Sequence, residues 1–512
     1  MTPSTAEQPD HSATSIEHVD VLIVGAGVSG IGCAYHLQTE QPGNSYVILE
    51  AREATGGTWD LFRYPGIRSD SDLHTFGYEF KPWLDEKAIA DGSAILSYIR
   101  ETASENGIDR HIRTGHRVTR AEWSSEDARW TVEVIRAGSG ETLHLSCRWL
   151  FCAGGYYRYE EGHTPEFSGI ERFAGQVVHP QHWPEDLDYA GKRVVVIGSG
   201  ATAITLIPAM TDTAAHVTML QRSPSYVISV PQKDPIANAL RRFLPADTAY
   251  ALARKKNIWL QKTVYRLSRS RPRLVRRILR AGVKRQLPAG YAVDTHFKPS
   301  YNPWDQRLCA VPDGDLFEAI SSGRASVVTD RIDAFTEHGI RLVSGEELAA
   351  DIVVTATGLN LLAFGGIELS VDGEPVELSQ TMTFKAMMLS DVPNFAFAIG
   401  YTNSSWTLKV DLVCEYLGRL LAHMDEHGYD SCMPHTDDPT MTTRPLLDFG
   451  AGYVQRSVHA FPRQGSRAPW SLAMSYAEDV KNLRHGGIKD PELVFARRTP
   501  AADVAPAPVL AA

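Results

Sequence analysis

The chain has 512 residues, 43% of them hydrophobic and 22% charged, enough to bury a large core and to divide into two or three globular units. A formal net charge of -10 argues against a surface evolved for nucleic acid, because phosphate binding needs a basic footprint. The six cysteines form neither a CxxC pair nor a Cys/His cluster with zinc spacing, so reduced thiols, a cytoplasmic setting and no metal are expected.

The start of the chain is polar and mixed in charge, lacking the basic and apolar segments of a secretory signal. Residues 1–17 are expected to form a disordered tail. No stretch reaches the roughly 20 apolar residues that cross a bilayer. Val19 to Val24 is rich in β-branched residues and reads as a strand buried on both faces of a parallel sheet. It runs into GAGVSG, Gly25 to Gly30, after which Ile31, Ala34, Tyr35 and Leu37 recur at helical spacing. In such a strand-turn-helix unit Gly25 permits the bend, Gly27 lets the backbone approach a pyrophosphate, and Gly30 allows close helix packing, with the helix N-terminus facing the anion. A second strand, Tyr46 to Leu49, ends at Glu50, about 20 residues past the loop, where an acid accepts from ribose hydroxyls. The next stretch, GGTWDLFRYPGIRSD from Gly56 to Asp70, is too rich in glycine, proline and arginine for a helix or central strand. It reads as a loop lying against FAD, with Gly57, Trp59 and Asp70 as contacts.

Further on, FAGQVVHPQHWP carries Phe173, Gly175, His179, Trp183 and Pro184 and joins this unit to a second one. There the strand Lys192 to Ile197 precedes GSGATA, with Gly198, Gly200 and Thr202 as nucleotide contacts. Ala203 takes the third glycine position, which the fingerprint tolerates. The next strand, His216 to Leu220, ends in Gln221, Arg222 and Ser223 where an NAD site would carry an acid. An arginine there suits a 2′-phosphate through a planar, charge-assisted contact, so NADPH is favoured; a strand-end cap at the surface is the plainer alternative for Arg222. The segment 241–285 holds fifteen Lys and Arg and one acid, Asp247. Leu274, Val275, Ile278 and Leu279 recur there at helical spacing, so the segment reads as inserted helices, either a solvated lid or a peripheral membrane contact. Asp351 to Gly358, DIVVTATG, reads as an apolar strand that returns the chain to the first unit.

The fold expected is therefore α/β, with two Rossmann-like dinucleotide-binding domains, for FAD and NADP, and a helical insertion. The FAD domain is expected to be discontinuous, at 18–165 and 330–497. The NADP domain spans 166–329 with its insertion at about 235–290, and 498–512 forms a second disordered tail.

The runs GGTWDLFRYPGIRSDSDL, HPQHWPEDLDY, VIGSGATA and YNPWDQRLC make the chain resemble the flavin-dependent Baeyer–Villiger monooxygenases, most of all their ethionamide-activating branch, over roughly residues 18 to 497. Phe173, Gly175, His179, Trp183 and Pro184 fill the family fingerprint FxGxxxHxxxW followed by P or D. Its tryptophan end separates the family from the flavin-containing monooxygenases. The resemblance implies an NADPH- and oxygen-dependent FAD enzyme that converts ketones to esters or lactones through a C4a-peroxyflavin. It further implies sulfoxidation as a side activity, and a small lipophilic ketone or sulfide and molecular oxygen as substrates. It places Arg307 over the flavin and matches Asp70 to the acid closing the RYPGxRxD loop.

The chemistry agrees, since the attacking oxygen and the former carbonyl oxygen are both anionic and a guanidinium keeps its proton at any working pH. Asp70 would hold it through a bidentate pair; for both residues a structural salt bridge between domains is the alternative. His179, in the linker, is expected to position backbone rather than to act as acid or base. Trp406, in YTNSSWTLK, contacts NADP or substrate, or is a core residue. Gln306 stands where some relatives carry a lysine, leaving 2′-phosphate recognition to Arg222 and Ser223. The rival readings are a flavin-containing monooxygenase limited to sulfur or nitrogen, a dithiol reductase, which would need a redox cysteine pair, and a non-catalytic flavin-binding regulator.

Overall fold

The computed structural model describes residues 16–306 and 308–498; Arg307 and most of the two expected tails lie outside the described residues. Strand β1 (Glu17–Val24) sits inside a nine-stranded sheet between two parallel neighbours, Tyr46–Leu49 and Thr142–Cys152. Val21, Leu22 and Ile23 are fully buried, as a strand covered on both faces requires. Helix α1 (Val28–Glu40) covers one face and packs with the long helix Thr407–His427 in a shared core that includes Ile31, Leu37, Val410 and Leu417. Arg129–Arg136 and His116–Ser124 extend the sheet as an antiparallel meander, and Phe395–Phe397, from late in the chain, pairs with the end of Thr142–Cys152.

The second sheet has five parallel strands, in the order Ala325–Thr329, His216–Gln221, Arg193–Ile197, Ile352–Thr355 and Gln176–Val178. This corrects the boundary expected at 330. Ile352–Thr355 does not return the chain to the first unit but forms an interior strand of the second, with Val353 and Val354 fully buried. The hairpin strands Ile332–Thr336 and Gly339–Leu342 pack there too, through Phe335, Ile340 and Leu342. The sequence pattern misleads because each unit contains such a strand. In the first, Thr142–Cys152 leads to Ala153 and Gly154 beside Gly25; in the second, Ile352–Thr355 leads to Ala356 beside Gly198. The chain crosses back only afterwards. The outgoing strand Tyr157–Gly162 and the returning strand Leu359–Leu361 pair with each other as an antiparallel ribbon.

Three helices fill the insertion: Pro235–Phe243, Ala246–Ser270 and Pro272–Gln286. Asp234 caps the first, accepting from the backbone N–H groups of Ile236 and Ala237, with Pro235 at the first helical position, where its missing N–H costs nothing. Among the described residues no helix is long and apolar enough to cross a membrane. All six cysteines are buried thiols.

Candidate active site

Both glycine turns open on one cleft of about 1490 Å³, larger than the roughly 300–1,000 Å³ typical of a site for one small ligand. In the first turn Gly25 has φ +101°, and a Cβ there would lie 2.9 Å from the Ala153 carbonyl oxygen. A Cβ on Gly30 would come within 1.9 Å of the Gly25 carbonyl oxygen, so the helix can approach its strand this closely only without a side chain. Gly27, Val28 and Ser29 line the cleft at the N-terminus of α1, where the first N–H groups have no partner within the helix. Gly57, at φ +55°, brings the next loop up against Gly27, whose Cβ would be 3.6 Å from the Gly57 Cα.

Glu50 is buried at the cleft wall; its carboxylate accepts from the N–H of Ala26 at 2.8 Å and of Arg52 at 2.9 Å. Burial raises its pKa and these two bonds oppose the rise. Each oxygen keeps a lone pair for a ribose hydroxyl. The backbone cradle and the buried acid thus fit the adenosine and pyrophosphate portion of a dinucleotide.

The loop from Gly56 to Asp70 is held by a hub that sequence reasoning did not single out. The buried carboxylate of Asp60 pairs with Arg52 at 2.7 Å and Arg100 at 2.8 Å. Trp59 packs edge-on to Phe76 at 5.7 Å and lines the cleft. Arg68 reaches Asp315 of the second unit at 2.5 Å, and Asp70, exposed, lines the cleft between the units.

In the second turn Gly198 has φ +141°, and a Cβ there would lie 2.3 Å from the Ala356 carbonyl oxygen. Gly200 and Thr202 face the cleft. At the end of the following strand Gln221 turns inward, donating to the His296 carbonyl at 2.8 Å and to the Thr329 hydroxyl at 2.9 Å. Arg222 and Ser223 are exposed on the cleft wall, and Arg222 forms no ion pair with a described residue. Tyr64, between the two turns, is buried and its pKa is pushed up to about 12 by desolvation, so it enters the cleft region as a neutral phenol.

None of Phe173, Gly175, His179, Trp183 and Pro184 lines the cleft. Phe173 is buried edge-on to Phe335 at 5.9 Å, and a Cβ on Gly175 would lie 2.3 Å from the Asp351 carbonyl oxygen. Trp183 packs against Tyr189 at 6.4 Å, and Pro184 is exposed. His179 accepts from the Gln181 N–H through Nδ1 at 3.2 Å. Its proton therefore sits on Nε2, which donates to the Gly358 carbonyl at 3.2 Å. Burial lowers its pKa, keeping the ring neutral. The ring fills the space a Gly162 side chain would occupy. His179 thus fastens the two strands of the crossing ribbon to each other at one end, at Gly162 and Gly358.

Trp406 is half-buried on the cleft wall; its indole N–H donates to Ser29 at 2.8 Å and its ring stacks on Tyr156 at 5.3 Å. Tyr401, also on the wall, donates to Asp479 at 2.6 Å, and Asp479 pairs with Lys409 at 2.9 Å. Seventy-eight residues separate Tyr401 from Asp479, and no local pattern announces the pair. His423, Glu426 and His427 bring ligand atoms within 4.8 Å of one another, a cluster that the reading for zinc spacing passes over; none of the three lines the cleft.

Two strand-turn-helix dinucleotide sites on one cleft, joined by a stapled linker, define a two-domain nucleotide-dependent flavoprotein. The flavin-binding monooxygenase-like family matches residues 85–388, and an NAD(P)-binding Rossmann-like domain matches residues 23–85. The chain is similar to the FAD-containing monooxygenase EthA of Mycobacterium tuberculosis, 53% identical over 96% of this chain and 99% of the relative. It is also similar to the probable FAD-binding monooxygenase AlmA of Acinetobacter baylyi, 48% identical over 94% and 97%. Among solved structures, a steroid monooxygenase bound to NADP superposes with a TM-score of 0.73 at 22% identity, covering 94% of this chain and 100% of that one. The cyclohexanone monooxygenase of Rhodococcus sp. Phi1 bound to NADP+ gives 0.71 at 18%, over 94% and 100%. The chain belongs to the flavin-binding monooxygenase-like family and is an enzyme of that class.

Proposed function

We propose that the protein is an NADPH- and oxygen-dependent FAD monooxygenase that inserts one oxygen atom beside a ketone carbonyl, giving an ester or lactone, with sulfide oxygenation as a second activity. The observation that carries this reading is the shared cleft, with both glycine turns, Asp70, Gln306 and Trp406 on its walls. Relatives support it: EthA is named FAD-containing, and a cyclohexanone monooxygenase with this fold was solved with NADP+. When bound, FAD supplies oxygen activation and NADPH supplies hydride.

The chain's own residues do the rest. The N–H groups that open α1 take a pyrophosphate and Glu50 orients the ribose. Thr202 and Ser223 contact NADPH, and Arg222 presents a planar cation to its 2′-phosphate. Arg307 carries a charge that no working pH removes and stabilises the negative charge developing on the former carbonyl oxygen. Asp70 orients that guanidinium. His179 takes no proton in the reaction; it keeps the linker in place.

The test is a panel of ketones and thioethers, scored for NADPH consumed against product formed. Ester from at least one ketone class is expected. Arg307→Ala should keep its flavin and its reduction by NADPH while ester formation falls about 100- to 1,000-fold. Undiminished oxygenation by that variant removes the role, and oxygenation of thioethers with no ester from any ketone reassigns the enzyme to sulfur or nitrogen.

A further inference from the structure

Nine of the fifteen exposed large hydrophobic side chains among the described residues fall between Ile236 and Ile278. Single exposed hydrophobics need no explanation, but a concentration does. Phe243 is 85% exposed and Trp259 64%. On the helix Ala246–Ser270, Leu252, Trp259, Leu260 and Leu267 follow the spacing of one helical face. The neighbouring face is polar and engaged: Asn257 and Gln261 each donate to Asp72 at 2.8 Å, and Gln261 accepts from Ser404 at 2.7 Å. The apolar stripe is therefore not the face that holds the helix to the body of the protein.

Charge gives the stripe its setting. Residues 241–285 carry fifteen of the chain's 51 basic residues and one of its 61 acids, so the segment is +14 in a chain of net charge -10, leaving -24 on the rest. Four of the fifteen, Arg254, Lys256, Arg269 and Arg280, are ion-paired; the other eleven have no ion pair with a described residue. Lys255, Lys262 and Arg266 flank the stripe on the same helix. Aliphatic and aromatic side chains bordered by unpaired cations match the boundary between acyl chains and anionic headgroups. The acidic remainder of the molecule would be repelled from the same surface, which fixes the orientation.

We infer that the helices of 235–286 dock this protein onto an anionic lipid bilayer, with Phe243 and Trp259 entering the interface and the unpaired arginines and lysines meeting lipid phosphates. The docking does not depend on which substrate is oxygenated. The helix that docks also holds, through Asn257 and Gln261, the loops at Asp72 and Ser404, and Ser404 lines the cleft.

The test uses full-length protein with its flavin bound, sedimented with vesicles of phosphatidylcholine alone or of phosphatidylcholine and phosphatidylglycerol in equal parts. At low ionic strength the protein should pellet with the anionic vesicles and not with the neutral ones, and salt should release it. Phe243→Ser with Trp259→Ser should weaken partitioning by about tenfold or more, with flavin content unchanged. Arg273→Ala and Arg277→Ala should weaken it roughly fivefold each. Four results would overturn the inference: no pelleting with anionic vesicles, equal pelleting with neutral ones, unchanged pelleting of both sets of variants, or a dimer in solution that the Phe243→Ser, Trp259→Ser variant converts to monomer, which would give the stripe to a second copy.

Discussion

The two glycine turns follow one plan, and the differences between them tell which nucleotide site is closed and which is open. In the first, helix and strand are so close that Gly30 admits no Cβ, a second glycine loop lies on Gly27, and the acid Glu50 is sealed against two backbone N–H groups. In the second, Ala203 occupies the position of Gly30, a Cβ on Gly200 would meet nothing within 4 Å, and the strand ends in an exposed arginine. The first has the geometry of a site for a group that stays, the second of a site for one that comes and goes. The same fingerprint thus serves residence or exchange according to what covers it.

Substitutions that interchange the two turns test this contrast. The largest effect is expected from Gly30→Ala, which sets a methyl group against the Gly25 carbonyl; purified protein should lose its bound flavin, read from the visible absorbance, and full retention would remove the claim of a closed site. Next comes Arg222→Gln, which should raise KM for NADPH by about 10- to 100-fold, the worth of charge-assisted hydrogen bonds, and leave KM for NADH nearly unchanged. Equal changes for both nucleotides would show that Arg222 does not read the 2′-phosphate. Ala203→Gly, the converse of the first substitution, should cost only the roughly 0.5–1 kcal/mol of a glycine inside a helix, seen as a small fall in Tm with flavin content intact.

A smaller effect still is expected from the histidine of the linker. Burial holds the pKa of His179 below its ordinary value, so the unfolded chain binds the proton more readily than the folded one. Its contribution to stability is full above the usual histidine pKa of about 6.5 and erodes as the pH falls through it. His179→Gln should flatten the fall of Tm with acid in that window; an unchanged slope would mean that the ring is not held neutral.

Much of the site was legible in the sequence because its chemistry lies in backbone, and backbone demands are written in glycines. Gly25, Gly30 and Gly198 stand where a Cβ would collide with backbone, Gly27 and Gly200 complete the two fingerprints, and Glu50 follows at a fixed distance. The return of the chain was misread because Asp351 to Gly358 looks like the closing strand of either unit, and only pairing with Arg193–Ile197 decides which. Asp60 gives no local sign of its partner Arg100, which lies 40 residues away. The linker residues were legible as a pattern, and His179 as a residue that positions backbone, but not by their contacts: Phe173 on Phe335 and His179 on Gly358 depend on segments distant in the chain.

The paired crossings have a mechanical meaning. Two separate tethers would let the nucleotide units wander independently, whereas a zipped pair of strands, pinned by an imidazole at Gly162 and Gly358, behaves as one strap. Such a strap yields to bending and twisting far more readily than to shear, because sliding one strand along the other would have to break the pairing of Gly162 with Leu359 and of Tyr157 with Leu361.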